Sequence, residues 1–136
     1  MKHIIIITGI LSLWSQLTFA HGENKLGPNG GYIKMPGAFH TEIVPLTPNS
    51  LKVYLLDMSW KNPTTLNSSL DLSHYNGKTT KAKCSLEKDH YLCQFNKSID
   101  LKLKGGLTLS AKRENKDGIP VTYELPLKLR GPHANE

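Results

Sequence analysis

Apolar residues recur at every second position along most of this chain, which is the spacing of strands buried on one face. The clearest run is Ser50 to Asp57, where Leu51, Val53 and Leu55 alternate with Lys52, Tyr54 and Leu56. Leu70, Leu72 and His74 alternate with Asp71, Ser73 and Tyr75. Asn76-Gly77 then marks a hairpin turn from which Thr79 to Leu86 pairs back. Tyr32 to Met35 and Ala38 to Val44 read as two strands joined by a type II turn at Pro36-Gly37. That register sets Met35 opposite Ala38 and Ile33 opposite His40, so Met35, His40 and Glu42 line one side of the ribbon. Ile99, Leu101 and Leu103 give a further strand, and Leu107, Leu109 and Ala111 another, ahead of a turn at Asp117-Gly118. Val121 to Leu129 closes the domain, with Pro126 marking an edge strand or a bulge. No stretch beyond the first twenty residues carries a helical period. About 7–9 short strands with turn residues between them predict an all-β fold, an antiparallel β-sandwich or Greek-key barrel.

The first twenty residues read as a signal peptide. Lys2 supplies the positive end, Ile4 to Trp14 is almost wholly apolar and too short to span a bilayer, and Thr18-Phe19-Ala20 presents small residues where a signal peptidase reads. Cleavage between Ala20 and His21 leaves a chain with His21 at its N-terminus. The expected organisation is a signal peptide over 1–20, a loop arm over 21–30, a β-sandwich domain over 31–130 and a tail over 131–136. The mature form is expected to be periplasmic or secreted, without a transmembrane segment.

Cysteine usage fits export. Cys84 and Cys93 are the only two cysteines, and an oxidising compartment favours joining them. With Lys88-Asp89 as a two-residue turn, Glu87 faces His90, Leu86 faces Tyr91 and Cys84 faces Cys93 across a hairpin, within disulfide reach. The alternative, a metal-thiolate pair, lacks the spacing of a zinc knuckle.

The formal charge is +6, and removing Lys2 leaves 16 basic and 11 acidic side chains. Lys102, Lys104, Lys112, Arg113, Lys128 and Arg130 mostly alternate with apolar residues, the pattern of solvated strand faces. No aromatic-studded basic motif is present, so nucleic acid is not an expected partner. Weak attraction to anionic headgroups or cell-wall polymers is compatible with the charge.

The stretch from His21 to Glu42 holds two histidines, Met35, two acids and five of the chain's eleven glycines. A histidine at a free N-terminus can chelate a metal through its α-amine and Nδ1, and a second imidazole completes a tetragonal nitrogen set that suits Cu(II). His21 is that residue, and His40, on the strand next to the arm, is the second imidazole. Glu42 or Asp57 would add an oxygen, with Glu23 a weaker choice, while Met35 and Met58 are soft thioethers that favour Cu(I). A copper ion is therefore the expected cofactor. His74 and His90 are read as facing solvent or a neighbouring carboxylate, and His133 lies in the tail.

The run Gly27-Pro28-Asn29-Gly30-Gly31, the strand through His40 and Glu42, and Val53-Tyr54-Leu55-Leu56-Asp57 together resemble a small exported β-domain. That domain occurs alone or at the front of periplasmic adaptor subunits of heavy-metal efflux pumps. The resemblance covers the first half of the mature chain. In that pattern the glycine run usually has a histidine at its centre, where this chain has Asn29. His21 also looks like the start of small periplasmic copper-binding β-sandwich proteins. These resemblances imply metal handling in the periplasm, with an efflux component as a partner. Two readings stand: a metal-binding or metallochaperone-like module, or an exported β-sandwich that binds a protein or cell-envelope partner without metal. No Ser-His-Asp, paired-carboxylate or phosphate-cradling constellation is visible, so the chain is not read as an enzyme. A copper oxidoreductase built on the His21 chelate would need an open metal position and a substrate face.

Overall fold

The computed structural model describes residues 24–129. The expected signal peptide, its expected cleavage point at Ala20 and His21, and the tail over 131–136 lie outside the described residues. Ten antiparallel strands form two sheets that do not close into a barrel. The first sheet holds β1 (Tyr32–Lys34), β2 (His40–Thr47), β3 (Ser50–Leu56), β7 (Tyr91–Gln94) and β6 (Lys83–Leu86), in that spatial order. The second runs β10 (Val121–Leu125), β8 (Gly105–Arg113), β4 (Ser69–Tyr75) and β5 (Thr79–Lys81), with β9 (Lys116–Asp117) also paired to β8. There is no helix among the described residues.

Alternation sorts the residues as a sandwich requires. Ile43, Leu51, Val53, Leu55, Tyr91 and Cys93 of the first sheet meet Leu72, Leu107, Leu109, Val121, Tyr123 and Leu125 of the second in one core, joined by Phe39, Phe95 and Leu101. Tyr123 ties the layers together, because its hydroxyl is 2.7 Å from Thr41 Oγ1 and donates to the Thr41 carbonyl at 3.1 Å. Burial pushes its phenol well above the ordinary range.

The cysteine hairpin forms as expected: Cys84 lies opposite Cys93 and Leu86 opposite Tyr91, and the two cysteines are joined in a disulfide. Glu87 N–H donates to the His90 carbonyl, so alternation makes the cysteines a non-hydrogen-bonded pair, with Cα atoms 4.0 Å apart.

Several expected details change. The strand expected over 79–86 is shared between sheets: β5 pairs with β4, Ala82 donates to the Leu72 carbonyl, and β6 crosses over to pair with β7. The β1–β2 turn is longer than two residues, and Ile33 lies opposite Glu42 rather than His40. A shift of two leaves every side chain on its expected face. The strand expected at Ile99 to Leu103 is a pair of turns, in which Asn96 and Asp100 side chains accept the N–H groups of Ser98 and Lys102. Such local bonds compete with strand pairing. The turn expected at Asp117-Gly118 falls at Glu114-Asn115 instead, both with positive φ, 48° and 65°. Gly118 serves close packing, since a Cβ there would lie 2.8 Å from Pro36 and 2.9 Å from Phe39. Pro126 follows the end of β10, an edge strand, so its missing N–H breaks no ladder.

Candidate functional site

The outer face of the first sheet should meet water, yet part of it is buried. Ile33, His40, Glu42, Val44, Tyr54 and Leu56 point away from the main core, and Ile33, Tyr54 and Leu56 form a second small cluster with Val44 and Trp60 against it. Two chain segments cover this face.

The first is the glycine run of the arm. Glu42 is fully buried, and its carboxylate accepts three hydrogen bonds. Asn29 N–H and Gly31 N–H reach Oε1 at 2.8 and 2.9 Å, and Asn29 Nδ2 reaches Oε2 at 2.8 Å. The loop closes on itself through Gly27 N–H to the Gly31 carbonyl (2.8 Å) and Gly30 N–H to the Gly27 carbonyl (3.0 Å). Glycine is needed where the loop presses down. A Cβ on Gly27 would lie 2.6 Å from the Glu42 carboxyl carbon, and one on Gly31 would lie 2.4 Å from the Ile43 carbonyl oxygen. The loop thus occupies three of the roughly four lone-pair sites of the Glu42 carboxylate.

The second cover is the turn after β3. Asp57 organises it: Ser59 and Lys61 N–H donate to Oδ1, both at 2.9 Å, and Asn62 Nδ2 donates to Oδ2 at 2.8 Å. The Lys61 N–H bond, and after it the Asn62 amide, hold the Asp57 carboxyl below the usual carboxylate range. Asp57 therefore caps a turn, with three hydrogen bonds to its carboxylate. The turn sets Trp60 at φ 62°, a conformation that a bulky side chain adopts only when its surroundings impose it. The indole then meets the His40 ring edge-on, with centroids 5.9 Å apart, and Lys25 Nζ lies 5.1 Å from the indole centroid. Arg113 pins the rest of this loop, donating from Nε to the Leu55 carbonyl and from Nη2 to the Asn62 carbonyl at 2.6 Å.

His40 sits between the two covers, only 5% exposed, with Nδ1 3.1 Å from the Asp57 carbonyl oxygen. That carbonyl can only accept, so Nδ1 donates to it, and in the neutral ring Nε2 keeps its lone pair. Nε2 makes no hydrogen bond among the described residues. Met58 follows Asp57 in the same turn and is exposed. Met35 lies one step past the Lys34–Thr41 pair, at the His40 end of the ribbon, and is half-buried. The structure thus gathers His40, Asp57, Met58 and Met35 at one end of the first sheet, with Glu42 further along it. His21 and Glu23 lie outside the described residues. No group of three or more His, Cys, Asp or Glu side chains close enough to share a metal occurs among the described residues.

Sequence reasoning missed Trp60, whose value shows only in its backbone conformation. It also misplaced His74, which is buried at the far end of the second sheet rather than facing solvent or a carboxylate. His90 does meet a carboxylate, with Nδ1 2.7 Å from Asp89 Oδ1. Compared with known proteins, the chain matches no family model, no curated protein and no solved structure.

Proposed function

We propose that the mature chain is an exported metal-binding or metallochaperone-like module that holds one copper ion between His40 and the N-terminal His21 and works beside a periplasmic efflux component. The observation that carries this reading is the state of His40. Its ring is buried against the sheet, its Nδ1–H is spent on the Asp57 carbonyl, and its Nε2 lone pair is unused among the described residues. Metal-bound imidazoles are oriented in this way, by a backbone carbonyl on the other ring nitrogen. The arm supports the second ligand. Lys25 lies over Trp60, which touches His40, and four residues of chain reach about 13–14 Å when extended.

The donor types suit copper in both of its oxidation states. Two imidazoles and an α-amine suit Cu(II), and the thioethers of Met35 and Met58 at the same end suit Cu(I). Glu42 and Asp57, each already accepting three hydrogen bonds, are the less available oxygen donors. Export is supported by the signal-like leader and by the Cys84–Cys93 disulfide. No helix among the described residues is long and apolar enough to cross a membrane.

One added residue before His21 removes the α-amine chelate and leaves every side chain in place. Cu(II) affinity, followed by competition with a chromophoric chelator, should fall at least tenfold, which is about 1.4 kcal/mol. His40→Ala should do comparable damage and His90→Ala little. If the extended protein binds as tightly as the native one, the N-terminal chelate is wrong. If neither binds, the metal-free, partner-binding reading replaces this one.

A further inference from the structure

His74 is 5% exposed, its Nδ1 is wholly buried, and neither ring nitrogen makes a hydrogen bond among the described residues. Buried polar atoms without a partner are rare and call for a ligand, a water or an ion. Burial holds this imidazole below its usual pKa. One side of the ring is closed by Phe95, edge-on at 5.9 Å, and by Gly105, where a Cβ would lie 3.1 Å from Nε2.

The remaining side lines a cleft of about 220 Å³ between the β4–β5 hairpin and the loop over 96–104. A water takes about 30 Å³ in the liquid, so the cleft has room for a small polyatomic ion. Its walls carry Lys78, Lys104, Asn96, Ser98 and Asp100. Neither lysine has a carboxylate within ion-pair distance among the described residues. Asn96 Oδ1 accepts from Ser98, both N–H and hydroxyl, which leaves the Asn96 NH₂ free to donate. The one acid, Asp100, already accepts the Lys102 N–H at 3.0 Å. Two unpaired ammonium groups against one engaged carboxylate repel a cation and favour an anion.

We propose that this cleft binds a small phosphate-type oxyanion, whether free or as the headgroup of an anionic lipid, with Lys78 and Lys104 supplying charge, the Asn96 amide supplying hydrogen bonds and the His74 ring forming part of the wall. The site lies on the second sheet and owes nothing to His40, so it stands or falls apart from copper binding.

The test is an amide and imidazole NMR titration of the full oxidised protein with inorganic phosphate at constant ionic strength. Shifts should centre on residues 76–78, 96–98 and 104 and on the His74 ring, and should saturate. The exposed pair change Lys78→Gln, Lys104→Gln should weaken binding at least fivefold with the rest of the spectrum unchanged. In a parallel arm, co-sedimentation with phosphatidylglycerol–phosphatidylcholine vesicles is compared with pure phosphatidylcholine vesicles. Saturable phosphate binding without vesicle capture supports a free anion. Vesicle capture that phosphate displaces and the double variant loses supports a headgroup. Shifts scattered over lysines elsewhere, an unchanged affinity in the double variant, or no response in either arm would overturn the proposal.

Discussion

Replacing Glu42 by Ala should detach the arm and destabilise the whole domain. The carboxylate is fully buried and accepts from Asn29 N–H, Gly31 N–H and Asn29 Nδ2, all within 2.9 Å. Hydrogen bonds to a charged group contribute about 1.5–3 kcal/mol each. Part of that is offset because burying the carboxylate itself costs solvation, and because the freed loop can turn its N–H groups to water. A net loss of about 2–4 kcal/mol follows, which for a domain of this size lowers Tm by about 10 °C. Glu42→Gln separates charge from shape. Its remaining oxygen still serves the two backbone N–H groups, and the Asn29 amide need only turn over to accept from the new NH₂, so the loss should be about 1 kcal/mol. Urea denaturation measures both losses, and hydrogen exchange of the Asn29 and Gly31 amides reports the loop directly. An Ala variant within about 0.5 kcal/mol of wild type, the scale of an ordinary surface change, with the Gly31 amide still protected, would refute the latch.

Other consequences are as direct. Gly31→Ala should displace the same loop and expose its amides to exchange, because the new Cβ would meet the Ile43 carbonyl at 2.4 Å and backbone cannot give way. Tyr123→Phe should cost about 1 kcal/mol in urea melts by leaving Thr41 without its cross-sheet partner. Thiol labelling of unreduced protein should find no free cysteine, and the Cys84→Ser, Cys93→Ser double variant should stay folded but lose roughly 2.5–3 kcal/mol; two reactive thiols at full stoichiometry would contradict the bridge. His74, whose pKa is lowered in the fold, binds a proton more readily unfolded. Its share of stability is therefore present above the unfolded value near 6.5, falls as pH drops below it, and levels off beneath the folded pKa; His74→Gln should flatten that part of the stability–pH curve.

Alternation carried most of the fold in advance. The core residues of β3, β4 and β10 face inward as their period requires, and the Cys84–Cys93 hairpin has its expected register. What failed was decided by local polar chemistry or by topology. Asn96 and Asp100 turned an alternating apolar run into turns, and Asn115 took a left-handed turn from the Asp-Gly pair two residues on. The handover of the chain between sheets at Ala82 has no local signal, since both halves read as one strand. At the site, the facing of His40 and Glu42 was legible from alternation. The opposite fates of their polar atoms were not, because they depend on Asn29 and Asp57, which only the folded chain brings alongside. His74 shares its parity with Leu70 and Leu72, so its burial was written in the pattern, and only its polarity argued for an outward facing.

On the proposed function, a mature chain beginning at His21 binds one copper ion through that residue and His40. Native mass spectrometry of the exported, oxidised protein, with and without added Cu(II), tests it in one measurement. The mass should start at His21 and include one disulfide, with a single tightly held copper ion that is absent from His40→Ala. The ion should also be lost as pH falls, because protons compete with copper for the same nitrogens. A mature chain that starts at His21 and holds no copper, or holds it equally well without His40, would contradict it.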